Sequence, residues 1–301
     1  MGYLFLSIAL AVGGLKGYCG KKTSNDITLK SDSMVMNNLR MGICVIIGLL
    51  LILIQGEIHT LLPSSTVLLI ALLSGVSTAA FVVSWLLSVK SGAYMMVEVF
   101  LLIGVIVPIV LCRIFYNEEI LTRQIIAIGI LLIAVYIMCT YNSSIKGKMK
   151  PSELVLLLIC GISNGFADFS QKVFVKTAIT EAGVAVFNLY TYLFAGLALL
   201  FASYIFRKKE KKEGADVRKL GSIVKPIWIY VLIMAVCLFA HSFFKTKAAE
   251  YLDAVRLYPL NQGASVLISI FLSSVFFKEK INLKCIVGIV LSFAALLLIN
   301  L

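Results

Sequence analysis

STVLLIALLSGVSTAAFVVSWLLSV, residues 65–89, carries no charged side chain from one end to the other. About 20 helical residues cross the hydrocarbon core of a bilayer, and this stretch is long enough to do so. Its apolar and polar positions do not alternate, as they would in a strand of a membrane barrel. A segment in lipid has no water for its N–H and C=O groups, so it must pair them internally, as a helix does. Similar stretches lie on both sides of it. The sequence predicts ten spans in all, at 3–20, 33–54, 65–89, 93–115, 121–141, 152–175, 183–206, 226–249, 253–277 and 283–301. The bulk composition agrees: of 301 residues, 60% are hydrophobic and 14% charged, with a mean hydropathy of +1.01. A soluble domain needs far more polar surface than that. The expected class is an all-α integral membrane protein, multi-pass, in a cell membrane.

The net charge of +12 resides in short connections between apolar spans. That placement is topogenic, so membrane lipid rather than nucleic acid is the expected partner. Of the two longer connections, 21–32 and 207–225, the second contains RKKEKKEGADVRK and reads as a solvated loop able to touch anionic lipid. The cysteines, Cys19, Cys44, Cys112, Cys139, Cys160, Cys237 and Cys285, show no C-x-x-C spacing and read as small packing residues. No basic residue precedes Lys16, so the N-terminal apolar run reads as a first span rather than a cleavable signal.

The chain also repeats itself. Asn38-Leu39 recurs 150 positions on as Asn188-Leu189, and Gly14 and Lys21 recur 151 on as Gly165 and Lys172. Phe115-Tyr116-Asn117-Glu118 answers to Phe276-Phe277-Lys278-Glu279, and Ile120 to Ile281, at an offset of 161. Five spans per half is an odd number, so the second half enters the membrane from the opposite side. The predicted architecture is two inverted five-helix repeats, residues 1–145 and 150–301, in one membrane domain. Such halves exchange conformations and expose a midplane site to each side in turn.

Span 1 carries glycines and ends in lysine, Arg40 stands near the start of span 2, and acidic turns follow span 4 (Asn117-Glu118-Glu119) and span 9 (Lys278-Glu279-Lys280). Glycine-containing closing helices come next, QIIAIGILLIAVYIM and CIVGIVLSFAALLLI. In these features the whole chain resembles the EamA-type ten-helix members of the drug/metabolite transporter superfamily. The resemblance implies secondary transport of a small organic metabolite, through a central cavity lined by spans 1, 3, 4, 6, 8 and 9. One departure stands out: Pro259 lies 20 residues before Glu279, the corresponding position before Glu118 is Glu98, and the first half has its proline at Pro108.

Ionisable groups inside spans need a partner or a wet cavity. Glu98, in YMMVEVFLLIGVIV, is the foremost candidate, either for an ammonium group or for proton exchange, or else as a structural partner of Arg256. Asp168 and Lys16 fall within one residue of mirror positions and read as a pair joining the halves or as substrate contacts. His241 is a candidate proton carrier. The densest polar cluster, Arg256-Leu257-Tyr258-Pro259-Leu260-Asn261-Gln262-Gly263, surrounds a proline that is expected to loosen span 9 and open a binding site. Phe81, Trp85 and Tyr94 stand near Glu98 in sequence, as in an aromatic cage for a cation, though aromatics also gather at membrane interfaces. Asn164, Asn188 and Tyr190 face either the cavity or neighbouring helices.

Lys and Arg number 19 in and beside the odd-numbered connections and 7 in the even-numbered ones, which predicts cytoplasmic odd connections and both termini outside. Relatives are described with the opposite orientation. The leading expectation is a carrier for an amine-bearing small metabolite, such as an amino acid, with a proton as candidate coupling ion, working as a monomer or homodimer. The alternatives are a carrier for a choline-like quaternary ammonium, an anion carrier clamped by Arg256, Lys245 and Lys247, and a non-transporting membrane enzyme or scaffold. No cofactor is expected, and the sequence has no P-loop for direct use of ATP.

Overall fold

A computed structural model describes residues 1–91, 94–145, 150–278 and 282–300. The side chain of Cys139, Lys146, Lys148 and the Glu279-Lys280-Ile281 turn lie outside the described residues. Within them all regular structure is helical: α1 (Gly2–Ser24), α2 (Lys30–Gln55), α3 (Ser65–Ser91), α4 (Tyr94–Gly104), α5 (Ile106–Tyr116), α6 (Thr122–Ile145), α7 (Pro151–Thr177), α8 (Val184–Lys212), α9 (Leu220–Val224), α10 (Trp228–Ala249), α11 (Ala254–Val275) and α12 (Leu283–Asn300). Helices α4 and α5 together make span 4, and short α9 leads into α10, so the ten spans of the sequence reading are all present. Seven of these segments are long and apolar enough to cross a membrane, and α6, α11 and α12 complete the ten. The molecule is an all-α, multi-pass membrane protein.

Helix α1 packs on α10, α3 on α7, α2 on α8, α6 on α12, α4 on both α7 and α11, and α11 on α1. Exchanging α1 with α7, α2 with α8, α3 with α10, α4–α5 with α11 and α6 with α12 maps this set of contacts onto itself. Side chains repeat the pattern. Lys21, near the end of α1, donates to Val89 O at the end of α3 (3.0 Å). Its counterpart Lys172 on α7 donates to Ala249 O (3.0 Å) and Leu252 O (2.6 Å), at the end of α10 and just beyond it. Each lysine thus satisfies carbonyls that a helix C-terminus leaves without an internal partner. The two sets lie at opposite ends of the bundle, as two inverted five-helix repeats require. On the Lys21 side, Lys90 reaches the carbonyl of Ile27. On the other side, Glu118 accepts from Ala254 N (3.1 Å) and stands 4.0 Å from Lys172 and 3.9 Å from Lys176.

Two expectations are corrected here. The 207–225 connection is not simply solvated. Helix α8 continues to Lys212, and the chain reverses at Gly214, whose φ of +80° favours glycine. The segment then docks on the start of α2. Arg218 Nη2 meets the buried Asp32 Oδ2 at 2.6 Å, and Ser31 N donates to Glu210 Oε1 at 3.3 Å. Asp32 also takes the backbone N–H groups of Thr28 (3.1 Å) and Leu29 (3.0 Å), so one carboxylate both caps α2 and anchors the loop.

The helix break also lies elsewhere than the sequence suggests. Helix α11 runs through Pro259 without interruption, because the proline lies early in the helix and the carbonyl it deprives, Val255 O, is in the first turn. The break falls instead in span 4 at Val105, between α4 and α5. Pro108 there clashes with the carbonyl of Gly104 and cannot bond it.

Candidate functional site

The glycines of α1 set the geometry of the centre. Gly13, Gly17 and Gly20 recur at helical spacing, so one face of α1 is bare backbone. A Cβ at Gly20 would come within 2.5 Å of the Trp85 ring, one at Gly13 within 2.9 Å of His241 Nδ1, and one at Gly17 would collide with the Tyr94 hydroxyl. Three helices therefore press side chains onto α1. A similar contact joins α4 to α7, where a Cβ on Gly104 would strike the carbonyl of Gly161. Small residues let helices approach this closely in a membrane.

Between these helices lies a cavity with about 690 Å³ of space between atoms, mouth included, of which about 60 Å³ admits the centre of a water-sized molecule. Helices α1, α2, α3, α4, α7, α10 and α11 contribute to its wall, that is spans 1, 2, 3, 4, 6, 8 and 9. Most sequence-predicted site residues converge on it: Trp85, Tyr94, Glu98, Asn164, His241, Asn261 and Gln262 all line it. Trp85 Nε1 donates to Glu98 Oε1 at 2.8 Å, and no described group donates to the other carboxyl oxygen. The Trp85 and Tyr94 rings meet edge to face, with centroids 6.2 Å apart. Gln262 Nε2 reaches the backbone carbonyl of Glu98 at 3.4 Å and ties α11 to α4. His241 Nδ1 lies 2.8 Å from Ala9 O. A carbonyl only accepts, so this contact places the proton on Nδ1 and leaves Nε2 as an acceptor in the neutral ring.

Asp168 sits one turn along α7 from Asn164 and pairs with Lys245 of α10 at 2.5 Å, rather than with Lys16 as the mirror positions suggested. Tyr258 turns away from Glu98 and donates its hydroxyl to Asp168 O at 2.6 Å. A polar layer continues from there: Gln171 Nε2 donates to Ser242 Oγ (3.1 Å), which donates to Asn188 Oδ1 (2.7 Å). Tyr190 bonds Leu61 O at 2.6 Å, near the end of the bundle. Arg256 is exposed on the first turn of α11 and forms no pair with Glu98. The proposed anion clamp dissolves as well, since Lys245 is committed to Asp168 and Lys247 to Glu250 at 2.9 Å.

Two cavity residues had other assignments in the sequence reading. Lys16, read from sequence as a partner of Asp168 or a substrate contact, and Arg40, read only as a mark of resemblance, both line the cavity. Lys16 Nζ lies 6.0 Å from the Phe81 ring centroid, and Arg40 Nη1 donates to Asn37 Oδ1. The signal that singled out Glu98, a charge inside an apolar span, applied equally to them.

The second half of the chain, residues 151–301, matches the model of the EamA-like transporter family. A solved structure described as "Crystal structure of protein" superposes with a TM-score of 0.69, covering 99% of this chain and 95% of that one at 10% identity, which establishes a shared fold. No curated protein matches the sequence. With half of its length matched and a whole-chain fold of ten helices, the chain belongs to the EamA-like transporter family, whose members are membrane transporters of small molecules.

Proposed function

We propose that this protein is a secondary transporter that moves a small polar metabolite bearing an amine, of the amino-acid kind, across the cell membrane by alternating access. The observation that carries the reading is Glu98, whose carboxyl group opens into the central cavity with one oxygen held by Trp85 and the other without a donor among the described residues. A substrate ammonium supplies the partner that the carboxylate lacks in a dry interior, and substrate and carrier then neutralise each other. Asn164, Asn261 and Gln262 supply further hydrogen bonds around it. The glycine contacts of α1 and the break at Val105 give the surrounding helices room to move past one another. A proton is the candidate coupling ion, carried by Glu98 in exchange for substrate or by His241.

Counterflow of labelled amino acids into proteoliposomes tests this reading. Saturable exchange is expected for wild type, and loss of about tenfold or more for Glu98→Gln, since each lost charge-assisted contact is worth about 1.5–3 kcal/mol. Undiminished exchange by Glu98→Gln overturns the role given to Glu98.

A quaternary ammonium substrate is the second reading, favoured by Phe81, Trp85 and Tyr94 lining the cavity beside Glu98. Against it, Trp85 offers Glu98 its N–H edge, and Tyr258 points to Asp168.

A further inference from the structure

The cavity wall opposite in character to Glu98 carries two cations. Lys16 makes no ion pair or hydrogen bond among the described residues, and its Nζ lies over the Phe81 ring, 6.0 Å from the centroid. Arg40 is 2% exposed, with Nη1 held by Asn37 and with Nε buried and lacking any acceptor. Asn261, 4% exposed, has a buried Oδ1 without a donor. The nearby acid that could have neutralised either cation, Asp168, is consumed by Lys245. Two cations therefore face at most one negative charge, that of Glu98, in a site walled by hydrocarbon. Isolated buried charge costs several kcal/mol per ion unless it is paired and hydrogen-bonded. A guanidinium with spare donors beside an ammonium matches the oxygens of a carboxylate.

We infer that Lys16 and Arg40 form an anion subsite that takes the carboxylate of the substrate. Resting on the reading of Glu98 as the amine site, this makes the substrate a zwitterion, with its carboxylate on Lys16 and Arg40, its ammonium on Glu98, and Asn261 Oδ1 accepting from an N–H or O–H between them. A quaternary ammonium without a carboxylate enters a wall that already holds one cation too many. Helices α1 and α2 of the first half carry the anion subsite and α4 the amine site. Bound substrate thereby bridges three helices that must shift relative to one another in transport.

The test uses the full-length protein in detergent and three probe sets: the twenty standard amino acids, the amines left by removing their carboxyl groups, and the acids left by removing their amino groups. Binding is read as thermal stabilisation and converted to Kd. Wild type is expected to bind one or more amino acids best. Lys16→Gln and Arg40→Gln are each expected to weaken amino acids and acids by about tenfold or more while leaving amines unchanged or improved. Glu98→Gln is expected to weaken amino acids and amines but to spare acids. Arg40→Lys restores part of the affinity if charge is what matters, and Lys16→Gln carries the test alone should Arg40→Gln not fold. If carboxylate-bearing probes bind the two lysine and arginine variants as well as wild type, or bind none of the proteins at millimolar concentration, the anion subsite is overturned. If acids depend on Lys16 and Arg40 while amines ignore Glu98→Gln, the amine reading fails and the anion subsite stands.

Discussion

Asp168 and Lys245 show how differently a buried residue behaves when its partner is lost and when the pair is replaced. Their side chains are 2% and 7% exposed and 2.5 Å apart, on α7 and α10. Lys245→Met strands a carboxylate among helices and is expected to lower stability by about 3–5 kcal/mol. The double variant Asp168→Asn/Lys245→Met removes the stranded charge and should recover much of that loss, as a double-mutant cycle by thermal unfolding will show. Additive losses would mean that the pair contributes no coupling. Trp85 acts on a finer scale. Trp85→Phe keeps an aromatic ring at this position but deletes the N–H that orients Glu98. Substrate affinity should fall by about tenfold, corresponding to roughly 1.4 kcal/mol, with little change in the unfolding temperature of the unliganded protein.

Helix α1 and the α4–α5 break are elements whose behaviour follows from what their backbones omit. The face of α1 made by Gly13, Gly17 and Gly20 has no side chains, and His241, Tyr94 and Trp85 occupy the space they leave. Gly17→Ala places a methyl group on the Tyr94 hydroxyl, so either α1 or α4 must move. Overpacking of this kind costs about 1–3 kcal/mol, and the cavity edge formed by Tyr94 moves with it. The expected outcome is a lower unfolding temperature together with reduced transport, and a variant that keeps both would refute the close contact. At the break, Gly104 and Pro108 work together: the proline frees a carbonyl, and the glycine lets α4 lie against Gly161 of α7. Pro259 also frees a carbonyl, that of Val255, but in the first turn of α11, where no break follows.

The whole molecule is tied together at both ends by side chains that cross between helices. At one end Lys21 and Lys90 reach the carbonyls of Val89 and Ile27, and Arg218 holds Asp32. At the other, Glu118 gathers Lys172, Lys176 and the start of α11. The first group belongs to odd-numbered connections and the second to even-numbered ones, so the charge count now bears on which end faces the cytoplasm. With the six described native cysteines buried, a cysteine at Gly214 and one at Thr180 report on opposite faces. A membrane-impermeant maleimide applied to intact cells should label Thr180→Cys and spare Gly214→Cys, and the reverse pattern would invert the assignment. Arg218→Ala, which leaves Asp32 with donors from Thr28 and Leu29, is expected to destabilise the protein by about 1–3 kcal/mol.

The ten spans and their class were legible in the sequence because lipid as a solvent imposes long apolar segments on any chain that crosses it, whatever their neighbours. The inverted repeat was legible through a few recurring residues, and Lys21 and Lys172 prove to do the same work in each half. Glu98 could be picked out because an acid is conspicuous in a hydrocarbon span. Its partner could not, since periodicity along one helix says nothing about which of six neighbours presents a donor. Hence Arg256 was a reasonable partner in sequence and Trp85 is the partner in space. The charged 207–225 run likewise carries no sign that Arg218 finds Asp32, some 186 residues away. The sequence by itself determined that this chain lives in a membrane as ten helices in two opposed halves. Only the tertiary structure decided which buried charges neutralise each other and which, at Glu98, Lys16 and Arg40, are left facing a cavity, because pairing depends on distances of a few ångströms between helices far apart along the chain.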